Sequence, residues 1–406
     1  MEILRSISPR PVRFIWFGEL VPPTTTVRAN YLFVLPWEPH HVGGVTNVVT
    51  NLARVMSLHG SFTPRIAVNR SGRDRDGDDW FFFDFSLLTL ATPLGLFKAC
   101  VKAPALLWRT LRMLRSNHVQ VVNFHYPGLA PLCVTLLKVM RLYRGKILLS
   151  YHGTDVAPPR GNVERFALRL VHSHADRLIA CSNSLARRMV SDFDIPATRV
   201  TVIFNGIDES WFGGENQDRA STTLAIPDYF IVSVGKFIPL KNHALLIEAF
   251  AALAPRYPGL YLCIAGADGD ERPAVEAAIA RHGLTARVRL FVDLDQKDVA
   301  LLLSRATVCV QPSLRESFPL AVLEAAASGT PLVASDIPGH DELIHGESTG
   351  LLFPLGDAQA CAAAVASVLD DPGTATARAT MQKERVHRTF TLLSCMRNYE
   401  QIASGR

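Results

Sequence analysis

Glu316 and Glu324 stand eight residues apart in the stretch VCVQPSLRESFPLAVLEAAASGTPLVAS, residues 308–335. Inside one helix that spacing would separate the carboxylates by about 12 Å along the axis, too far for a dyad acting on one small reacting centre. With Glu316 on a turn and Glu324 inside a helix, the pair instead brackets an extended ligand. A carboxylate accepts hydrogen bonds from two vicinal hydroxyls, the pattern of a ribose or a hexose. The free amides at a helix N-terminus suit a diphosphate lying between two such sugars. Lys236 and Lys241 sit between a strand pattern at 229–234 and a helix pattern at 244–253, where two cations can neutralise the same diphosphate.

The elements that position these groups read from local signals. Residues 308–311 form an apolar run of strand type, broken by Pro312 and Ser313. Ser317 is read as the cap of a helix with Pro319 in its first turn, which removes one amide from the cradle. Leu320, Leu323 and Ala327 recur at helical spacing, Gly329 and Pro331 stop the helix, and residues 332–334 make the next strand. Upstream, the buried strand YLFVL (31–35) leads through Gly43 and Gly44 into a helix at 46–59. Strand, glycine turn, helix is a layout that lets backbone approach a phosphate or sugar closely. Strands at 119–124 and 146–151 end in His125 and His152, the latter followed by Gly153, Thr154 and Asp155. A histidine at the carboxyl end of a parallel strand faces the open crevice of its sheet. Further strands fall at 12–17, 261–265 (followed by Gly266) and 287–291 (followed by Val292 and Asp293).

Repeated strand–helix units in both halves predict an α/β chain with two Rossmann-like doubly wound domains facing a cleft. The first domain is placed at 1–205, a linker containing Gly213 and Gly214 at 206–227, the second domain at 228–385, and a terminal helix at 386–406. The chain of 406 residues is 48% hydrophobic and 19% charged, enough to build two cores and too apolar for extended disorder. The net charge of +5 is unevenly spread: +12 over residues 1–205 and −7 over 206–406. A basic first half points to an anionic partner. Nucleic acid is disfavoured, because no such motif occurs and the basic residues are not interleaved with aromatics. Seven scattered cysteines without a CxxC read as core residues in a reducing compartment, and the first residues lack the apolar core of a secretory signal. The pairs Asp74/Asp76 and Asp293/Asp295 read as loop charge and strand end rather than as metal ligands.

The Glu316-x7-Glu324 pair, with Pro312-Ser313 before it, Phe318-Pro319 beside it and Ala325, Gly329, Pro331 and Ser335 after it, resembles the nucleotide-sugar signature of glycosyltransferase family 4. These are retaining enzymes of the two-domain GT-B fold. The resemblance covers nearly all of residues 200–370 and, more loosely, 30–200. It implies transfer of a sugar from a nucleotide-diphosphate sugar to an acceptor hydroxyl with retention. The pathway class is bacterial-type polysaccharide, lipopolysaccharide or glycolipid assembly, with a glycan or lipid-linked acceptor. The nucleotide sugar is a co-substrate; no tightly bound cofactor and no metal is implied. Carried over by position, Lys236 and Lys241 contact the donor phosphates, although Lys236 stands where arginine is commoner. Glu316 holds the donor sugar, with Ser317, Phe318 and Leu320 in the same donor site, and Glu324 holds the ribose. His152, Lys241 and Glu316 are the catalytic candidates. Gly43 and Gly44 form the loop across the cleft, Gly266 and Val292 border the base, and His125 and Asp155 lie on the acceptor side. Asn205-Gly206-Ile207-Asp208 matches the start of the interdomain linker, and the terminal helix packs back on the first domain. Two alternatives share the architecture: a nucleotide-sugar epimerase, which needs no acceptor, and a non-catalytic nucleotide-sugar-binding protein.

Between Leu94 and Arg115, Lys98, Lys102, Arg109 and Arg112 fall on one helical face, with apolar residues on much of the rest. A basic amphipathic helix of this kind is a candidate for contact with an anionic membrane surface. The expected location is therefore cytoplasmic, peripheral on the inner face of the membrane.

Overall fold

The computed structural model describes residues 29–38, 43–70, 80–87, 93–212 and 224–405. The strand predicted at 12–17, the Asp74/Asp76 pair and the Gly213-Gly214 segment lie outside the described residues.

The first half alternates strand and helix: β1 (Ala29–Leu35), α1 (Gly44–His59), β2 (Phe62–Val68), β3 (Trp80–Phe82), α2 (Pro93–Ser116), β4 (Val119–His125), α3 (Leu132–Val139), β5 (Lys146–Tyr151), α4 (Asn162–His174), β6 (Arg177–Ala180), α5 (Asn183–Phe193) and β7 (Val200–Val202). Its seven strands pair in the order β3-β2-β1-β4-β5-β6-β7, all parallel. The second half repeats the plan: β8 (Phe230–Val234), α6 (His243–Leu253), β9 (Tyr261–Gly266), α7 (Arg272–Arg281), β10 (Val288–Val292), α8 (Gln296–Arg305), β11 (Val308–Gln311), α9 (Leu320–Ser328), β12 (Leu332–Ser335), α10 (His340–Leu343) and β13 (Leu351–Phe353). Its sheet runs β10-β9-β8-β11-β12-β13, again parallel. Three helices close the chain: α11 (Ala358–Asp370), α12 (Pro372–Thr389) and α13 (Leu392–Ser404).

The strands read as continuous apolar runs because both faces are covered. On β1, Tyr31, Phe33 and Leu35 pack with α1 and α13, while Leu32 and Val34 pack into the core shared with Leu114 of α2 and Leu132 of α3. On β8, Ile231 faces α6, α7 and α11, whereas Phe230 and Val232 join Val322 and Leu323 of α9. Each such side chain contributes about 1.5–3 kcal/mol on burial.

Both sheets reverse strand order at one place, between β1 and β4 and between β8 and β11. The carboxyl ends of strands flanking such a reversal leave a crevice without a crossing helix. The two crevices carry the loops that hold Gly43, Gly44, His125, Lys236, Lys241 and Glu316.

The chain passes between the domains twice. Ile207 N–H donates to Phe390 O at 2.8 Å, and Leu392 N–H donates to Ile207 O at 2.9 Å, so the two crossings are bonded to each other. Gly206 is required there: a Cβ would lie 2.5 Å from Leu392 Cα. After the second crossing α13 lies on the first domain. Lys146 Nζ donates to Ile402 O at 2.7 Å, and Glu400 Oε1 accepts from Ser61 N–H at 2.6 Å.

Candidate functional site

In the second domain the ends of β8 and β9 meet closely. A Cβ on Gly266 would stand 1.9 Å from Gly235 O, so glycine is needed at Gly266. The stem of Lys241 lies across Gly235, 3.0 Å from where a Cβ would be. Lys241 ends a short 3₁₀ turn, Pro239–Lys241. Its ammonium reaches Glu316 Oε1 at 2.5 Å, and the Ser313 hydroxyl donates to the same oxygen at 3.0 Å. Burial alone would raise the Glu316 pKa. The Lys241 charge, with His340 and the Ser313 hydroxyl, outweighs burial and holds it below the usual carboxylate value. Lys236 is exposed, with no ion-pair partner among the described residues.

Glu324, on α9, lines a small, partly open pocket between the domains, together with Asn47 and Asn51 of α1, Asp208, Gln296 and Leu320. Burial pushes its carboxyl up to about 8, with Lys241 pulling weakly the other way. The two glutamates are therefore shifted in opposite directions: the Lys241 pair favours the carboxylate form of Glu316, and burial favours the protonated form of Glu324.

The start of α9 differs from the sequence expectation. Ser317 makes no cap. Pro319 is the N-cap, in extended conformation, and the helix begins at Leu320. Pro319 therefore removes no amide from the helix: the first intrahelical bond runs from Leu323 N–H to Pro319 O at 3.2 Å, leaving the preceding amides of the turn outside it. The packing of Phe318 accompanies this later start. Phe318 is 6% exposed and stacks with Phe204 and Phe390, each at 5.6 Å between centroids. Its ring thus points to the interdomain crossing rather than to the donor side.

Across the cleft, Gly153 has φ +129°, and a Cβ there would meet Ser317 Oγ at 1.8 Å. The loop after β5 and the loop before α9 therefore touch, which sets His152 beside the Glu316 segment. His152 Nε2 lies 2.9 Å from His125 Nδ1, and the two rings stack at 5.1 Å. Burial lowers both histidines, His152 to about 4. Asp155 turns back on its own loop: its carboxylate accepts from His152 N–H at 3.0 Å and Gly153 N–H at 2.6 Å. Burial raises it to about 6, against the pull of those amides. Gly43 is the N-cap of α1, and a Cβ on Gly44 would sit 3.4 Å from Leu320 Cδ1, so this glycine turn also abuts α9. Val292 ends β10, paired with Gly266. Asp293 Oδ1 accepts from Asp268 N–H and Asp295 caps α8 through Asp298 N–H, so both carboxylates are engaged by the chain.

Three contributors escaped the sequence reading. Ser313 grips Glu316. Asn123, a polar residue inside the apolar strand β4, contacts His125; its placement between valine and phenylalanine was the available signal. Glu342 reaches the other domain, accepting from Asn183 N–H at 2.9 Å, Asn183 Nδ2 at 3.0 Å and Ser184 N–H at 2.7 Å, a contact no local pattern announces.

Two Rossmann-like sheets facing a cleft, with a lysine and two glutamates at the switch point of the second, define the GT-B class of architecture. A family model described as Glycosyl transferases group 1 matches residues 215–385, and one described as Glycosyltransferase Family 4 matches residues 42–211. A glycogen synthase of Mycobacterium tuberculosis is 31% identical over 386 residues, covering 88% of this chain and 91% of its own. A D-inositol 3-phosphate glycosyltransferase of Salinispora tropica is 34% identical over 220 residues, half of this chain and 45% of its own. Among solved structures, a sucrose-phosphate synthase from Thermosynechococcus elongatus aligns with TM-score 0.74 at 20% identity over 93% of this chain and 99% of its own. Anabaena HepE, solved with UDP and glucose, aligns with TM-score 0.72 at 17% identity over 93% of this chain and 100% of its own; both likenesses bear on the fold. The chain belongs to glycosyltransferase family 4 and is a glycosyltransferase.

Proposed function

We propose that this enzyme moves a glycosyl unit from a nucleotide-diphosphate sugar to an acceptor hydroxyl with retention at the anomeric carbon. The observation that carries the reading is the Lys241–Glu316 pair at 2.5 Å, beside the start of α9 and opposite the His152 loop. Cleavage of the sugar–phosphate bond leaves charge on the diphosphate. Lys241, Lys236 and the first amides of α9 stabilise that charge where it grows. Glu316 takes the donor sugar hydroxyls and Glu324 the ribose, from opposite ends of the same nucleotide sugar. Among the described residues no carboxylate is positioned as an obvious nucleophile for a double displacement, so the departing phosphate takes the acceptor proton on the same face. Relatives named as glycogen synthase and inositol phosphate glycosyltransferase support a hydroxyl acceptor on a carbohydrate or polyol.

The acceptor side is the basic first domain. On α2, Val101 is 65% and Trp108 60% exposed, beside exposed Lys102, Arg109 and Arg112, a composition suited to an anionic membrane bearing a lipid-linked acceptor. Among the described residues no helix is long and apolar enough to cross a membrane.

A panel of nucleotide sugars tests the reading. One donor should raise the melting temperature, and the purified enzyme should then yield a product whose anomeric configuration, read by NMR, matches the donor. Conversion of a nucleotide sugar in the absence of acceptor would instead identify an epimerase.

A further inference from the structure

His152 ends a buried chain of polar side chains that the reaction above does not use. His125 Nδ1 lies 2.9 Å from His152 Nε2, and His125 Nε2 lies 3.1 Å from Asn123 Nδ2. The second amide hydrogen of Asn123 goes to the Tyr31 hydroxyl at 3.0 Å. Asn123 Oδ1 accepts from the Ser150 hydroxyl at 2.9 Å, and Ser150 Oγ is 3.2 Å from the Tyr399 hydroxyl on α13. Tyr31, Asn123, His125 and Ser150 are at most 1% exposed and Tyr399 is 3% exposed.

The direction of each hydrogen follows from donor chemistry. An amide nitrogen only donates, so Asn123 gives a hydrogen to His125 Nε2. A neutral His125 then carries its one hydrogen on Nδ1 and donates it to His152 Nε2. His152, its Nε2 lone pair occupied, carries its own hydrogen on Nδ1. At the far end Ser150 donates to Asn123, so Tyr399 donates to Ser150. Along the path Tyr399–Ser150–Asn123–His125–His152 each hydrogen points from α13 towards the cleft, and the second amide hydrogen of Asn123 branches to Tyr31. Turning the Asn123 amide over would leave one of its two hydrogens without a partner among the described residues, a cost of about 1–3 kcal/mol in a buried site. The lowered pKa values of both imidazoles agree with two neutral rings. His152 Nδ1 has no protein partner among the described residues, and the residue keeps partial exposure.

We propose that Asn123 and His125 are positioning residues that fix His152 as an Nδ1–H donor, so that it gives a hydrogen bond to an oxygen of the bound nucleotide sugar and is not the base that takes the acceptor proton. The placement of the sugar rests on the glycosyltransferase reading above; the tautomer does not. Protein labelled with ¹⁵N-histidine, examined by long-range ¹H–¹⁵N correlation near pH 7, should show His152 Nδ1 protonated and Nε2 unprotonated. The reverse pattern, or hydrogens on both nitrogens, would overturn the proposal. Asn123→Asp replaces the donor by an acceptor. It should move the His152 hydrogen to Nε2 and lower kcat about a hundredfold, the scale of losing one aimed donor, with donor KM within about threefold of wild type. A variant with the hydrogen moved and kcat unchanged would also overturn it. Should Asn123→Asp not fold, the wild-type spectrum decides alone. Absence of transfer from every nucleotide sugar tried would sink the functional reading while the spectrum still decided the tautomer.

Discussion

Lys241 Nζ and Glu316 Oε1 lie 2.5 Å apart, so the cation assigned to the donor diphosphate is held by a carboxylate from the segment assigned to the donor sugar. Lys241 keeps Glu316 charged, and each side chain holds the other aimed.

Lys241→Ala should lower kcat at saturating donor by about a thousandfold, the cost of removing a group aimed at developing charge. It also strands Glu316, and should destabilise the fold by about 1–3 kcal/mol, less than a fully enclosed pair would, since the side chains keep 20% and 16% of their surface. Lys241→Met combined with Glu316→Gln should recover the melting temperature but not turnover. Calorimetry and steady-state kinetics on the single and double variants check this; recovery of turnover would exclude the phosphate role.

Glu324 gives a pH signature. Its folded pKa of about 8 lies above the unfolded value of 4.5, so between these values the folded protein binds more protons than the unfolded one. Its contribution to stability therefore falls as pH rises from 4.5 to 8. Glu324→Gln should flatten that decline and raise the melting temperature at pH 8, while weakening nucleotide binding. Melting curves at pH 6 and pH 8 with and without nucleotide measure both effects.

Gly153 faces Ser317 with no room for a methyl group and with φ +129°. Gly153→Ala should cost about 1–3 kcal/mol of stability from backbone strain and reduce kcat/KM by separating the two loops. Ser317→Gly added to it should restore part of kcat/KM but not the strain, which thermal melts and kinetics on the pair can resolve.

Glu342 closes the N-terminus of α5 from the opposite domain. Glu342→Ala should remove about 1 kcal/mol of capping and favour a more open arrangement. Small-angle scattering of the ligand-free protein should show a larger radius of gyration; an unchanged radius would mean that the contact does not hold the cleft.

The sequence revealed most of what is built locally. The strand–turn–helix–turn–strand unit from Val308 to Ser335, the glycine turn before α1 and the histidines at strand ends are each written in neighbouring residues. Contacts made between distant segments were illegible. Ser317 suits an N-cap by its side chain, yet the helix begins only after Pro319, with the intervening Phe318 buried against Phe204 and Phe390. Asp155 is a polar residue after a strand end until the loop folds its carboxylate onto its own amides. Asn123 is an anomaly in a strand until β5 and β1 bring Ser150 and Tyr31 to it, because hydrogen-bond partners 27 and 92 positions away leave no periodic trace.

Helix α13 supplies Leu392, Cys395, Met396, Tyr399 and Ala403 to the same core as Tyr31 and Phe33. A nascent chain emerging from the ribosome thus carries one flank of its earliest domain uncovered while the whole later domain is synthesised. Maturation of the beginning waits on translation of α13, and a stalled or clipped product lacking that helix would expose an oily surface to chaperones and proteases.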